Sequence, residues 1–104
     1  MKHIKNGLLY DTEAADLVAD RIVEQSCGGS LPPDRVKIYR TYKGRYFIIS
    51  QPLPSRFQKR LGWSSKPICF VCENGPGAIN DIAVAMKIDV EEAMNLSGVV
   101  VAPA

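Results

Sequence analysis

The residues best equipped for chemistry are cations and aromatic rings crowded into the middle of the chain. From Arg35 to Lys66 there are nine basic residues (Arg35, Lys37, Arg40, Lys43, Arg45, Arg56, Lys59, Arg60, Lys66) and no acid. Tyr39, Tyr42, Tyr46 and Trp63 are interleaved with them. Single-stranded nucleic acid is held by cations that displace condensed counterions and by aromatic faces on which bases stack. The pattern therefore points to polyanion contact through Lys37, Tyr39, Arg40, Tyr42, Lys43, Arg45, Tyr46, Arg56, Lys59, Arg60 and Trp63. The same residue types also serve strand packing and ordinary surface solubility.

The charge is arranged in blocks. Asp11 to Glu24 holds five acids against Arg21, and Glu73 to Glu92 holds five acids against Lys87. Acidic, basic and acidic blocks can pair with one another inside the fold, or leave the basic block facing a partner. In a second reading the acidic segments 12–26 and 89–96 face a protein partner, or the chain self-associates through an edge at Val99–Val101.

Other constellations are weaker. Cys69-x-x-Cys72 with Cys27 and His3 could supply three thiolates and an imidazole to zinc. However, Phe70 and Val71 read as strand residues, and an extended strand would send Cys69 and Cys72 to opposite faces. Asp81–Ala93 has the apolar spacing of a helix-turn-helix, but a second helix opening Asp-Val-Glu-Glu would set carboxylates against phosphates. No nucleophile with an attendant base and no phosphate-cradling glycine loop is visible, and no cofactor or small-molecule substrate is evident. The one catalytic alternative is histidine-independent ribonuclease chemistry by Tyr42, Arg45 and Tyr46, as in ribosome-dependent toxins.

The elements that must position these residues begin with a hairpin. Arg35–Ser50 contains two runs rich in β-branched and aromatic residues around Lys43-Gly44. A two-residue loop there puts Val36, Ile38, Phe47 and Ile49 on one face, with Lys37, Tyr39, Thr41, Tyr46, Ile48 and Ser50 on the other. A three-residue loop with Gly44 left-handed slips the register and exchanges one strand's faces. The first gathers the aliphatic residues and is the expected one.

Upstream, Gly7–Tyr10 reads as a brief edge strand. Asp11-Thr12 offers N-cap oxygens, and Ala15, Val18, Ala19 and Ile22 form a stripe at helical spacing, so a helix is expected over 12–26, ending at Gly28. Downstream, Pro54 opens a short helix to Leu61, and Ile68–Cys72 reads as a buried strand. Ile79–Met86 is a second amphipathic helix, and Asp89 with Glu92 forms a capping box for a last one to about Leu96. The fold class expected is α+β: a small antiparallel sheet built on the central hairpin, packed against an N-terminal helix, with short C-terminal helices beside it.

With 104 residues, 46% of them apolar and 23% charged, one domain spanning residues 1–104 of ordinary globular composition is expected. No apolar run approaches the ~20 residues of a membrane span, and Met1–Gly7 lacks the apolar stretch of a signal peptide, so a cytoplasmic protein is expected.

The residues Leu8-Leu9-Tyr10-Asp11-Thr12-Glu13-x-Ala15, Ile38-Tyr39-Arg40-Thr41-x-Lys43-Gly44-Arg45-Tyr46-Phe47 and Asp89-Val90-Glu91-Glu92-Ala93 together resemble a pattern. It is that of a group of small bacterial, phage and mobile-element proteins of unknown function. The resemblance spans roughly half the chain, and Pro52–Asn80 departs from it. It implies a coarse fold and a mobile-element setting, and carries over no catalytic residue.

Overall fold

Turn chemistry decides how the strands of this chain meet. The computed structural model describes residues 1–24, 33–53, 60–62 and 66–99. In chain order the strands are β1 (Lys2–Lys5), β2 (Leu8–Asp11), β3 (Asp16–Val23), β4 (Asp34–Arg40), β5 (Tyr46–Pro52) and β6 (Ile68–Val71). A 3-10 turn at Gly75–Gly77 then leads into helices α1 (Ala78–Met86) and α2 (Val90–Ser97). β1 and β2 form a two-stranded sheet, while β3-β4-β5-β6 form a four-stranded sheet with every neighbour antiparallel.

The central hairpin forms, but not in the expected register. Thr41 donates its N–H to the Arg45 carbonyl at 2.8 Å, and Gly44 donates to the Thr41 carbonyl at 2.9 Å. The loop is therefore the three residues Tyr42-Lys43-Gly44, with Gly44 at φ 82°. Lys43 is spared the positive φ that a tight primed turn would impose on it. Tyr39 consequently opposes Phe47 and Ile38 opposes Ile48. Val36 and Ile38 share their face with Tyr46 and Ile48, not with Phe47 and Ile49.

Each face of the sheet carries its own core. Ala19, Val23, Val36, Ile38, Tyr46 and Ile48 pack against Ile79, Ile82, Ala83, Met86 and Ala93 of the helices. On the other face Phe47 and Ile49 pack against Tyr10 of β2, with Leu8, Tyr39, Cys69 and Val71 around them. Tyr46, Phe47, Ile48 and Ile49 are consequently all buried, although they are consecutive.

The N-terminal helix expected over 12–26 is not there. Its described part is the strand β3, and the helices of this α+β fold come late in the chain. Asp11 does supply a capping oxygen, accepting from the Glu13 N–H at 3.0 Å, but the turn it closes goes no further. Such local bonds stabilise turns as readily as helix starts. The helical stripe is broken by an irregularity between Leu17 and Ala19, after which Ala19 and Val23 alternate onto the helix-covered face. Leu17 and Ile22 are left exposed as a result.

The C-terminal elements follow the local signals. Asp89 Oδ1 accepts from the Glu92 N–H at 2.7 Å, and Gly98 closes α2 in the left-handed conformation at φ 74°. Tyr46 donates its hydroxyl to the buried Ser97 carbonyl at 2.8 Å, tying the end of α2 to β5. β6 does extend the sheet, as an edge strand with Ile68 and Phe70 exposed. Most of the expected helix from Pro54 and most of the expected Val99–Val101 strand lie outside the described residues. Among the described residues no helix is long and apolar enough to cross a membrane.

Two substitutions test this layering by urea unfolding. Ile38→Ala, at a fully buried position, is expected to cost about 2–5 kcal/mol. Tyr46→Phe leaves the Ser97 carbonyl unpaired and is expected to cost about 1–2 kcal/mol.

Candidate nucleic-acid interface

The register of the hairpin distributes the basic and aromatic residues among three surroundings. At the tip, Tyr42 is 88% exposed and Lys43 Nζ lies 5.9 Å from its ring centroid. Arg45 donates from Nη1 to Asn74 Oδ1 at 2.8 Å, so it is positioned by a neutral amide. Arg40 Nη2 stands 4.0 Å from Asp16 Oδ2, at the outer limit of an ion pair, with both side chains well exposed.

Two shallow clefts flank this tip. One, of about 190 Å³, runs between the hairpin and β2, with Leu8, Leu9 and Tyr10 opposite Tyr42 and Arg45. The other, of about 400 Å³, lies between Asp16, Arg40 and the turn. Tyr42 and Lys43 line both.

Lys37 and Tyr39 sit elsewhere, on the face of the sheet that β1 and β2 partly cover. The Tyr39 ring stacks on Phe47 at 5.2 Å and 13°. Tyr46 must be withdrawn from the expected interface. Its ring is buried among the helices and its hydroxyl is committed to Ser97, so it offers no stacking surface. That burial also removes Tyr46 from the ribonuclease alternative, since Tyr42 lies exposed at the turn. Arg60 is exposed, whereas Arg56, Lys59 and Trp63 lie outside the described residues.

Part of the basic block is matched by the acidic blocks. Arg35 meets Asp20 in a two-pronged pair, Nε to Oδ1 at 3.0 Å and Nη2 to Oδ2 at 2.8 Å. The hydrogen bonds from Arg35 hold the Asp20 carboxyl below its usual range, and the same bonds push the Arg35 guanidinium up. On the helical face Arg21 Nη1 lies 3.3 Å from Glu92 Oε1. The expected acidic helix over 12–26 is thus a strand whose Asp20 answers β4. The first-turn Glu92 of α2 faces the protein's own sheet, the arrangement of a packing pair.

Cys69 and Cys72 do not converge. Cys69 joins the core beneath β2, while Cys72, one residue past β6, joins the core beneath the helices. Burial pushes the Cys72 thiol up to about 12, with the nearby Asp81 charge adding to it. Burial also raises Cys69, partly offset by the Lys5 ammonium. Among the described residues no three histidine, cysteine or acidic side chains gather to hold a metal, and Cys27 lies outside them.

Arg35, Gln51 and Thr12, outside the expected contact set, line a cleft of about 210 Å³ with Lys37 and Tyr39. The missed signal was the register, since only a three-residue loop sets Lys37 opposite Ile49 and Arg35 opposite Gln51.

The architecture is that of a small α+β protein in which one antiparallel sheet carries a helical pair on one face and a β-hairpin on the other. No protein-family model matches the chain, and no curated protein or solved structure is significantly similar to it.

Two measurements check the electrostatics. Because the Asp20 pKa is lowered on folding, its pair with Arg35 stabilises the fold above about pH 4 and is lost as pH falls through the lowered value. The stability difference between wild type and Asp20→Asn is therefore expected to close on acidification, the wild type losing more. In alkylation at pH 8 followed by peptide mass spectrometry, Cys72 is expected to stay unmodified in the folded protein and to react once urea unfolds it.

Proposed function

We propose that this chain is a non-catalytic accessory protein that holds single-stranded nucleic acid at the tip of the β4–β5 hairpin. The observation that carries the reading is Tyr42, 88% exposed at the turn and ringed by Arg40, Lys43 and Arg45. Burying an aromatic ring normally stabilises a fold, so a tyrosine left in water at the apex of the hairpin is well placed for a ligand with its own flat face. A base stacked on Tyr42 would bring its flanking phosphates among the three cations. The clefts on either side supply room for the neighbouring nucleotides. The resemblance to small phage and mobile-element proteins suits such an accessory role.

A protein partner is the second reading. It is favoured by the apolar side chains left in water at the two sheet edges, Leu17 and Ile22 on β3 and Ile68 and Phe70 on β6. An unpaired strand edge accepts a further strand through its backbone groups, and such an interface responds little to salt.

Fluorescence anisotropy with a labelled ten-nucleotide single strand separates the two. Binding is expected to fall with salt at a log–log slope of about −2, as for three phosphate contacts. Tyr42→Ala is expected to weaken it about tenfold, the loss of one stacked base. Lys43→Glu with Arg45→Glu is expected to abolish it while leaving the circular dichroism unchanged. Binding that ignores all of these substitutions overturns the proposal.

A further inference from the structure

The hairpin of β1 and β2 covers only part of its sheet face. It shields Phe47 and Val71 through Tyr10 and Leu8, and leaves a cleft of about 210 Å³ over the β4–β5 pair towards Arg35 and Gln51. The floor is Tyr39 and Ile49, the rim includes Thr12 and Pro67, and Arg35 and Lys37 stand at one side. Among the described residues none that lines this cleft is acidic, although Asp20 stands beside Arg35 and opposite Lys37.

The polar groups here keep spare hydrogen-bonding capacity. Lys37 lies opposite Asp20 across the β3–β4 pair, where its charge adds to the Arg35 hydrogen bonds in holding that carboxyl low, but among the described residues its ammonium has no hydrogen bond and no carboxylate within ion-pair distance. Arg35 uses Nε and Nη2 on Asp20, which fixes the guanidinium plane and, among the described residues, leaves Nη1 without a hydrogen bond. The Tyr39 hydroxyl is likewise without a hydrogen bond among the described residues, while its ring is held flat by Phe47. Arg35, Lys37 and the Tyr39 hydroxyl therefore border one concave space, whose other lining mixes apolar Ile49 and Pro67 with polar Thr12 and Gln51 and with Met1, whose terminal ammonium donates to Thr12 Oγ1 at 3.0 Å.

We propose that this cleft binds a small organic anion, a phosphate ester or carboxylate carried on a single ring. The charge would lie between the Lys37 ammonium and Arg35 Nη1, accepting charge-assisted hydrogen bonds. The ring would rest on Tyr39, Ile49 and Pro67. The volume lies below the roughly 300–1,000 Å³ of sites for drug-sized ligands, which limits the occupant to about one ring and its anionic group. Asp20 serves as a positioning residue, orienting Arg35 without touching the ligand. This site is separate from the hairpin tip and does not depend on nucleic-acid binding there.

Titration of the ¹⁵N-labelled full chain with phenyl phosphate, benzoate and inorganic phosphate, followed by amide NMR, tests this. Saturable shifts are expected at residues 35, 37, 39, 49 and 51, tighter for a ring-bearing anion than for inorganic phosphate. Preference between phenyl phosphate and benzoate assigns the head group. Lys37→Gln is expected to weaken binding about tenfold, equivalent to one charge-assisted bond, and Lys37→Arg to retain it. Tyr42→Ala, at the hairpin tip, is expected to leave it unchanged. Absence of saturable shifts with all three anions, shifts confined to the hairpin tip, or full binding by Lys37→Gln would each overturn the proposal. Equal affinity for inorganic phosphate and both ring compounds overturns the ring-binding part.

Discussion

Everything in this fold depends on β5 being buried from both sides. Four consecutive residues, Tyr46 to Ile49, are withdrawn from water, which requires a layer on each face of the sheet. The helices satisfy Tyr46 and Ile48; Tyr10 and its neighbours satisfy Phe47 and Ile49. Which residue meets which layer is set at the turn, because strand side chains alternate and a slip by one position exchanges the faces. Gly44 at φ 82° admits the three-residue loop, and so a residue without a side chain governs which core each of the four joins.

How much of this was legible varies with the range of the forces involved. The end of the chain was readable because the capping of α2 by Asp89 and its closure by Gly98 are local events. Three strands of the sheet, β4, β5 and β6, were readable from β-branched and aromatic runs, although β6 was expected to be buried and is an exposed edge. The segment 12–26 misled because Ala15, Val18, Ala19 and Ile22 have helical spacing, while its conformation is settled by pairing with β4 and by Arg35 reaching Asp20. Tertiary pairing of that kind overrides a modest local preference. The β1–β2 hairpin was signalled and only half read. Asn6-Gly7, at φ 52° and 75°, is the dipeptide that a tight primed turn prefers.

The candidate site was legible in composition and not in placement. Residue types alone marked the basic stretch, but only coordinates separate Tyr42 in water from Tyr46 in the core. The same holds for charge. Arg35 and Arg21 find carboxylates from the flanking acidic blocks, whereas the cations around the turn are left with a neutral amide, a ring and one distant carboxylate. Pairing within the fold and a residual positive surface are thus both realised, at opposite ends of one hairpin.

Among the described residues the two-stranded sheet of β1 and β2 shares no strand pairing with the four-stranded one, and it rests on it through side chains such as Tyr10 and Leu8. A layer held without ladder hydrogen bonds can separate while the rest of the molecule stays folded. The protein therefore has a built-in hierarchy of opening. Its first step would bare the Phe47 surface, and amide exchange in residues 2–11 would outpace that of the strands beneath.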